Sequence, residues 1–324
     1  MSEATTFSWP DRARSPSTSS VPIWPELPIT TGPEASGAGG PELAAVVVVN
    51  ATRAPLVGWF VRARVESWDR PLGTPVPTIP ALSARKVPVH LVPFLIGTKP
   101  GPVPATVELA RARAADAPAV ASLSREVAGV EPGARRVHTF RSGIDGSIQT
   151  YAVVPRAGAR GEGAAPDGAL VLSLHGAGVE AAGQAGAYAP KAWATIVCPT
   201  NRRPFGFDWE DWGRLDAMEV LEQAIATIPH DPARRFLTGH SMGGHGTWHL
   251  GVTYPDRFAA IGPSAGWVSF FSYGGAPAGG EDPVAGMLRR AAGTSDTLAL
   301  ATNLAPLGVY ALHGDADDNV PVTE

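Results

Sequence analysis

The stretch Phe236-Leu237-Thr238-Gly239-His240-Ser241-Met242-Gly243-Gly244-His245-Gly246-Thr247-Trp248 decides how this chain is read. An apolar start, a serine with glycine two positions away on each side, and a helix-compatible continuation read as strand, sharp turn, helix. A turn that tight leaves no room for side chains beside the neighbouring backbone, which is what Gly239 and Gly243 provide. Ser241 then projects from the apex, at the positive end of the following helix. In a chain with 37 glycines the bare G-x-S-x-G pattern is weak, and its plain alternative is a glycine-rich loop. The flanking strand and helix give it weight.

A serine in that position suits acyl transfer, which also needs donors aimed at a developing oxyanion. One is the backbone N–H of Met242, directly after the serine. The second is expected from another strand end, and Leu172-Ser173-Leu174-His175-Gly176-Ala177-Gly178 offers one. Ala177 is assigned that donor, with Gly178 as the near alternative; a simple strand-closing turn is the plain reading. A carboxylate after a later strand would orient a histidine in the order Ser, Asp, His. Gly308-Val309-Tyr310-Ala311-Leu312 is followed by an acidic loop with three candidates, Asp315, Asp317 and Asp318. A calcium loop is the competing reading, but the EF-hand spacing and its closing glutamate are absent.

Around these motifs the sequence alternates apolar strands with helical patterns. Strands are expected at Ala169 to Leu174, Ala194 to Cys198, Arg235 to Thr238, Phe258 to Ile261 and Gly308 to Leu312. A helix is expected from about Gly213 to Thr227, with Leu215, Met218, Leu221 and Ile225 on one face and Asp211 as its cap. This predicts an α/β domain with a mostly parallel sheet over 137–324, opened by a hairpin at Ile144-Asp145-Gly146-Ser147. Residues 1–40 mix Ser, Thr, Pro and Gly without apolar periodicity and are expected to be a disordered tail. Short β-rich stretches separated by turn residues, among them Ala45 to Val49, Val57 to Val61, Val87 to Leu91 and Ala105 to Leu109, predict a small β-sandwich over 41–115. Residues 116–136, rich in Ala, Arg and Glu, read as a connector with one short helix.

Composition narrows the function classes. The 26 basic against 30 acidic residues give a net charge of -4, which offers no field for nucleic acid. The single cysteine, Cys198, excludes an internal disulfide and reads as a buried strand residue. No metal and no cofactor is implied. The opening lacks a basic stretch followed by an apolar core, and no apolar run approaches membrane-spanning length, so the expected address is cytoplasmic by default.

The elbow, the His-Gly turn and the acidic loop, in that order, resemble the α/β-hydrolase superfamily, specifically its prolyl-oligopeptidase-like and feruloyl-esterase-like serine hydrolases. The resemblance covers about 137–324, and the N-terminal region is comparable only loosely with accessory β domains of such enzymes. The spacing His-Gly-x-x-Asp-x-x-Val-Pro resembles the family's acid loop and selects Asp317. The implied activity is cleavage of a small-molecule ester or a peptide through an acyl-enzyme on Ser241. The family's general base follows the acid after a last strand, so the catalytic histidine is expected beyond Glu324, and this stretch alone is expected to be inactive. Within the chain, His245 and His249 lie along the helix that starts at Ser241, where packing is the expected role. Trp209, Trp212 and Trp267, in aromatic-rich segments that include 205–214, are candidates for the substrate pocket, with packing under loops as the equal alternative. The competing function is a hydrolase fold without its base, serving as a binding or interaction module.

Overall fold

The computed structural model describes residues 5–6, 23–30, 42–68, 71, 73–97, 99–158, 167–202, 208–273 and 283–324. Internal contacts divide the chain into two compact units, formed mainly by Met1–Thr150 and Gly163–Glu324.

The first unit is built from β1 (Thr5–Thr6), β2 (Leu27–Thr30), β3 (Glu42–Asn50), β4 (Phe60–Val65), β5 (Thr74–Pro75), β6 (Ser83–Leu91), β7 (Leu95–Ile96), β8 (Gly101–Ala110) and β9 (Ala119–Val130). They form a three-stranded sheet, β1-β3-β6, and a six-stranded sheet, β5-β4-β8-β9-β2-β7. Alternation places Val87, Val89 and Leu91 of β6 and Val107 and Leu109 of β8 in one core, together with Val46 and Val48 of β3. Arg62 is buried in that unit, and its charge is met by Glu108 at 2.6 Å and by the carbonyls of Ala114 and Ala117.

Two expectations fail here. Residues 23–30, placed in a disordered tail, include β2, whose Leu27 and Ile29 enter the core. The expected connector contains the twelve-residue β9, paired along its length with β8. Seven of its twelve residues are apolar, but only Val127 and Gly129 are buried, and the others lie mostly at alternating exposed and half-covered positions. Strand pairing with β8 overrides the helical preference of Ala, Arg and Glu.

A third sheet has seven strands: β10 (Arg136–Arg141), β11 (Ile148–Val154), β12 (Ala169–Leu174), β13 (Ala194–Pro199), β14 (Arg235–His240), β15 (Ala260–Ser264) and β16 (Gly308–Val309). Their order is β10-β11-β13-β12-β14-β15-β16. Strands β12 to β16 run parallel and β11 pairs antiparallel with β13. This is the α/β-hydrolase fold. β12 and β13 are buried throughout, as their continuous apolar sequences require.

The helices are α1 (Ala181–Gly186), α2 (Asp211–Thr227), α3 (Met242–Thr253), α4 (Phe270–Tyr273) and α5 (Pro283–Ala292). In α2 the buried face is Gly213, Asp216, Ala217, Val220, Leu221 and Ala224, turned from the expected stripe of Leu215, Met218, Leu221 and Ile225. The rotation is tied to the buried Asp216, whose Oδ2 accepts from the Thr200 N–H at 3.1 Å. Asp211 is the first residue inside α2, not its cap; Glu210 holds that position without a side-chain cap bond. Its carboxylate is engaged with His245.

Candidate active site

β14 ends at His240, α3 begins at Met242, and Ser241 between them has φ 57° and ψ -122°. Side chains rarely adopt that backbone conformation, so the surroundings must impose it. A Cβ on Gly239 would overlap the carbonyl of Gly243, and one on Gly243 would overlap the carbonyl of Leu174. Only with glycine at both positions can strand and helix close this tightly. The Ser241 N–H donates to Ser264 O at 2.9 Å, and Ser241 O accepts from the His245 N–H at 3.1 Å. The turn is therefore tied at both ends. Met242 occupies the first helical position, where backbone N–H groups point away from the helix and favour negative charge.

The turn after β12 lies against the elbow. A Cβ placed on Gly176 would sit 3.5 Å from Ser241 Cβ and 3.3 Å from the His240 carbonyl. Val179 N–H closes the turn onto Gly176 O at 3.2 Å, with Gly178 at φ 73° and Ala177 exposed. His175 is buried, its Nδ1 3.0 Å from Gly176 O. Burial pulls its pKa below the usual imidazole value. It supports the turn as a neutral ring.

Asp317 is half-buried in the loop after β16, while Asp315 and Asp318 are exposed. Its Oδ1 accepts from the N–H groups of Asn319 at 3.0 Å and Val320 at 2.9 Å. Those backbone bonds, Val320 first, hold its carboxyl below the ordinary range, helped by the fields of His313 and His240. The loop is anchored beside the elbow's own support: Leu312 bridges Ser264, and Ala265 N–H donates to Leu312 O at 2.8 Å.

The aromatic candidates separate. Trp209 is completely buried, so it is not a pocket wall; its indole N–H donates to His175 O at 3.0 Å. Trp267 is also buried, stacked between His245 at 4.9 Å and Tyr273 at 4.6 Å. Both are packing elements because rings this large bury most area between elements. Trp212 is 48% exposed, with the Arg202 guanidinium over its ring. Residues 205–207 of the aromatic-rich segment lie outside the described residues.

His245 and His249 are buried in α3. His245 Nε2 lies 3.1 Å from Glu210 Oε1 and its Nδ1 3.2 Å from Trp267 O, so both nitrogens face away from Ser241. Burial pushes the pKa of His249 down to about 4. Among the described residues no histidine ring is hydrogen-bonded to Ser241. No cluster of His, Cys, Asp or Glu among them is arranged to hold a metal ion. The contributions of Glu210 and Asp216 are not foreseen by sequence reasoning. An acid on the inner face of α2 is the one available signal, and it concerns Asp216 alone.

The elbow, the His-Gly turn and the acid loop thus sit together on one end of an α/β-hydrolase sheet. Residues 206–320 match the model of a family described as "Putative esterase", a stretch that includes the elbow and the acid loop. An uncharacterized secreted protein of Arthroderma benhamiae is 30% identical over 172 residues, covering 47% of this chain. The matched chain spans only 18% of that relative's length. Among solved structures, an S-formylglutathione hydrolase from Staphylococcus aureus is 16% identical with a TM-score of 0.43, covering 57% of this chain and 81% of that one. A thermostable esterase is 17% identical with a TM-score of 0.38, covering 90% and 92%.

Proposed function

We propose that this chain carries the nucleophilic centre of a serine hydrolase that cleaves small-molecule carboxylic esters through an acyl-enzyme on Ser241. The observation that carries the reading is Ser241 itself, held at a strained apex between a strand end and a helix N-terminus, against a turn from a neighbouring strand. Strain of this kind is retained where it serves presentation of a side chain. The match to an esterase family model supports an ester in preference to a peptide substrate.

In this mechanism Ser241 Oγ attacks the ester carbonyl, and the N–H groups of Met242 and Ala177 receive the developing oxyanion. Asp317, ionised by its backbone hydrogen bonds, orients an imidazole that takes the serine proton and returns it to the leaving alcohol. Water then reverses the sequence and frees the acid. No step calls on a metal or an organic cofactor.

The test is labelling of the protein by a fluorophosphonate, alongside hydrolysis of a panel of acyl esters and short peptides. In the full-length protein, wild type should label and cleave esters, Ser241→Ala should do neither, and Asp317→Asn should slow ester cleavage on the order of 10⁴-fold. Equal labelling of wild type and Ser241→Ala removes the reading. A binding module on a hydrolase fold is the second reading, favoured by the lack of an imidazole hydrogen-bonded to Ser241 among the described residues. It predicts ligand retention without turnover.

A further inference from the structure

The register of the sheet fixes the two candidate oxyanion segments only up to a point. β12 and β14 remain paired as far as Leu174 opposite Gly239. Beyond that pair both chains leave the ladder, one toward Ala177 and the other toward Met242, and strand pairing no longer sets the gap between them.

Three consecutive residues ahead of α2 bridge that gap. The Asp208 N–H donates to Met242 Sδ. The Trp209 indole N–H donates to His175 O at 3.0 Å, and its ring meets the His175 ring edge-on at 4.9 Å. The Glu210 carboxylate holds His245, one turn into α3. Trp209 is wholly buried and lies across α3 at Gly246, where a Cβ would be 2.5 Å from Trp209 Cβ and Cγ. One side chain therefore touches both segments, and the carbonyl it holds belongs to the peptide immediately before the one that carries the Ala177 N–H.

Resting on the serine-hydrolase reading above, we propose that Trp209 is a positioning residue that sets the separation between the Met242 and Ala177 N–H groups. Ring volume in the Gly246 notch fixes its distance from α3, and the indole donor fixes the tilt of the His175-Gly176 peptide. A buried carbonyl held by a dedicated donor is costly to rotate. Oxyanion stabilisation depends on donors within hydrogen-bond reach of one point, so a small error in this gap lowers the rate of the chemical step before it weakens substrate binding.

Trp209→Phe keeps a ring in the notch and removes the donor. It should raise amide exchange at Gly176 to Val179 about tenfold or more while the amides of Leu250 to Thr253 stay protected, and lower kcat for an ester about tenfold with KM within about twofold. Trp209→His keeps an N–H on a smaller ring; it should be less stable than the Phe variant yet recover part of the lost kcat. Unchanged exchange, unchanged kcat in Trp209→Phe, or a Phe variant more active than the His variant overturns the proposal. The same comparison stands on Trp209→His against wild type should the Phe variant not fold, with loss of all activity in a folded His variant as the contrary result. Ser241→Ala separates the two layers: if it labels like wild type, the hydrolase reading fails and this proposal falls with it. If it is silent while Trp209→Phe behaves as wild type, only this proposal fails.

Discussion

Replacing Ser241 by glycine should make the protein more stable while removing the nucleophile. At φ 57° and ψ -122° a Cβ is held where only glycine is at ease, at a cost of about 1–3 kcal/mol. Glycine relieves that strain but gives back about 0.5–1 kcal/mol through the greater freedom of the unfolded chain. The balance is a gain of about 1 kcal/mol. Ser241→Ala is the control, because it removes the hydroxyl and keeps the strained Cβ. It should move stability by less than about 0.5 kcal/mol. Urea unfolding of the three proteins, followed by circular dichroism at one pH, measures the order. With a slope of about 1–3 kcal/mol per molar, the glycine variant's midpoint should rise by about 0.3–1 M. A glycine variant no more stable than the alanine variant would refute the claim that this turn stores strain.

Gly239→Ala should cost about 3 kcal/mol, since the new methyl overlaps backbone of Gly243 that no side-chain rotation can move. Gly286→Ala in α5, whose Cβ would meet only Arg290 at 3.6 Å, should instead gain up to about 1 kcal/mol, and equal effects in denaturation would contradict the packing argument. Burial raises the pKa of Asp216 from 3.8 to about 6, so its stabilisation is fully present below about pH 4 and is lost as pH rises through 6. Burial lowers that of His249 from 6.5 to about 4, so its stabilisation is present above 6.5 and is lost as pH falls toward 4. Each separation corresponds to about 3 kcal/mol, with opposite sign. Stability should therefore climb with pH between 4 and 6 in Asp216→Asn and decline over the same window in His249→Gln; denaturant midpoints with the same slope in both would show that burial does not set these values. Arg62→Met should cost about 3 kcal/mol by stripping Glu108 and two carbonyls of a buried cation, whereas Arg64→Met, at a side chain 40% exposed, should cost under about 1 kcal/mol. Matching losses in unfolding of the two variants would dismiss the distinction.

The legible parts of this protein are those in which a residue's job is set by its neighbours in sequence. The elbow's spacing is local, since Gly239 is required by the carbonyl of Gly243 four residues on, although Gly243 itself is required by Leu174 of a neighbouring strand. β12 and β13 were readable because a strand buried on both faces must be continuously apolar. β9 was not, because Ala119–Val130 owes its extended form to pairing with β8, and three of its seven apolar residues are alanine, which favours helix. β2 fails for a related cause: four residues between unpatterned stretches give too little periodicity, although Leu27 and Ile29 are fully committed to the core. Asp317 was singled out by resemblance of the loop's spacing, but the backbone N–H groups that fold back on its carboxylate are a property of the loop's shape.

The aromatic residues show why the surroundings of a site are harder to read than its centre. Trp209 and Trp267 stand in segments as rich in aromatics as a binding pocket would be, and both are spent on holding elements apart. Gly246 makes the same point from the other side. Within Gly243-Gly244-His245-Gly246 it is indistinguishable from glycines of the tight turn, yet the space it leaves is filled by Trp209, thirty-odd positions earlier in the chain. A helix normally loses about 1 kcal/mol for such a glycine. Here the loss admits a side chain that also reaches the His175 carbonyl, so the residue is explained by a contact that no window of sequence around it contains.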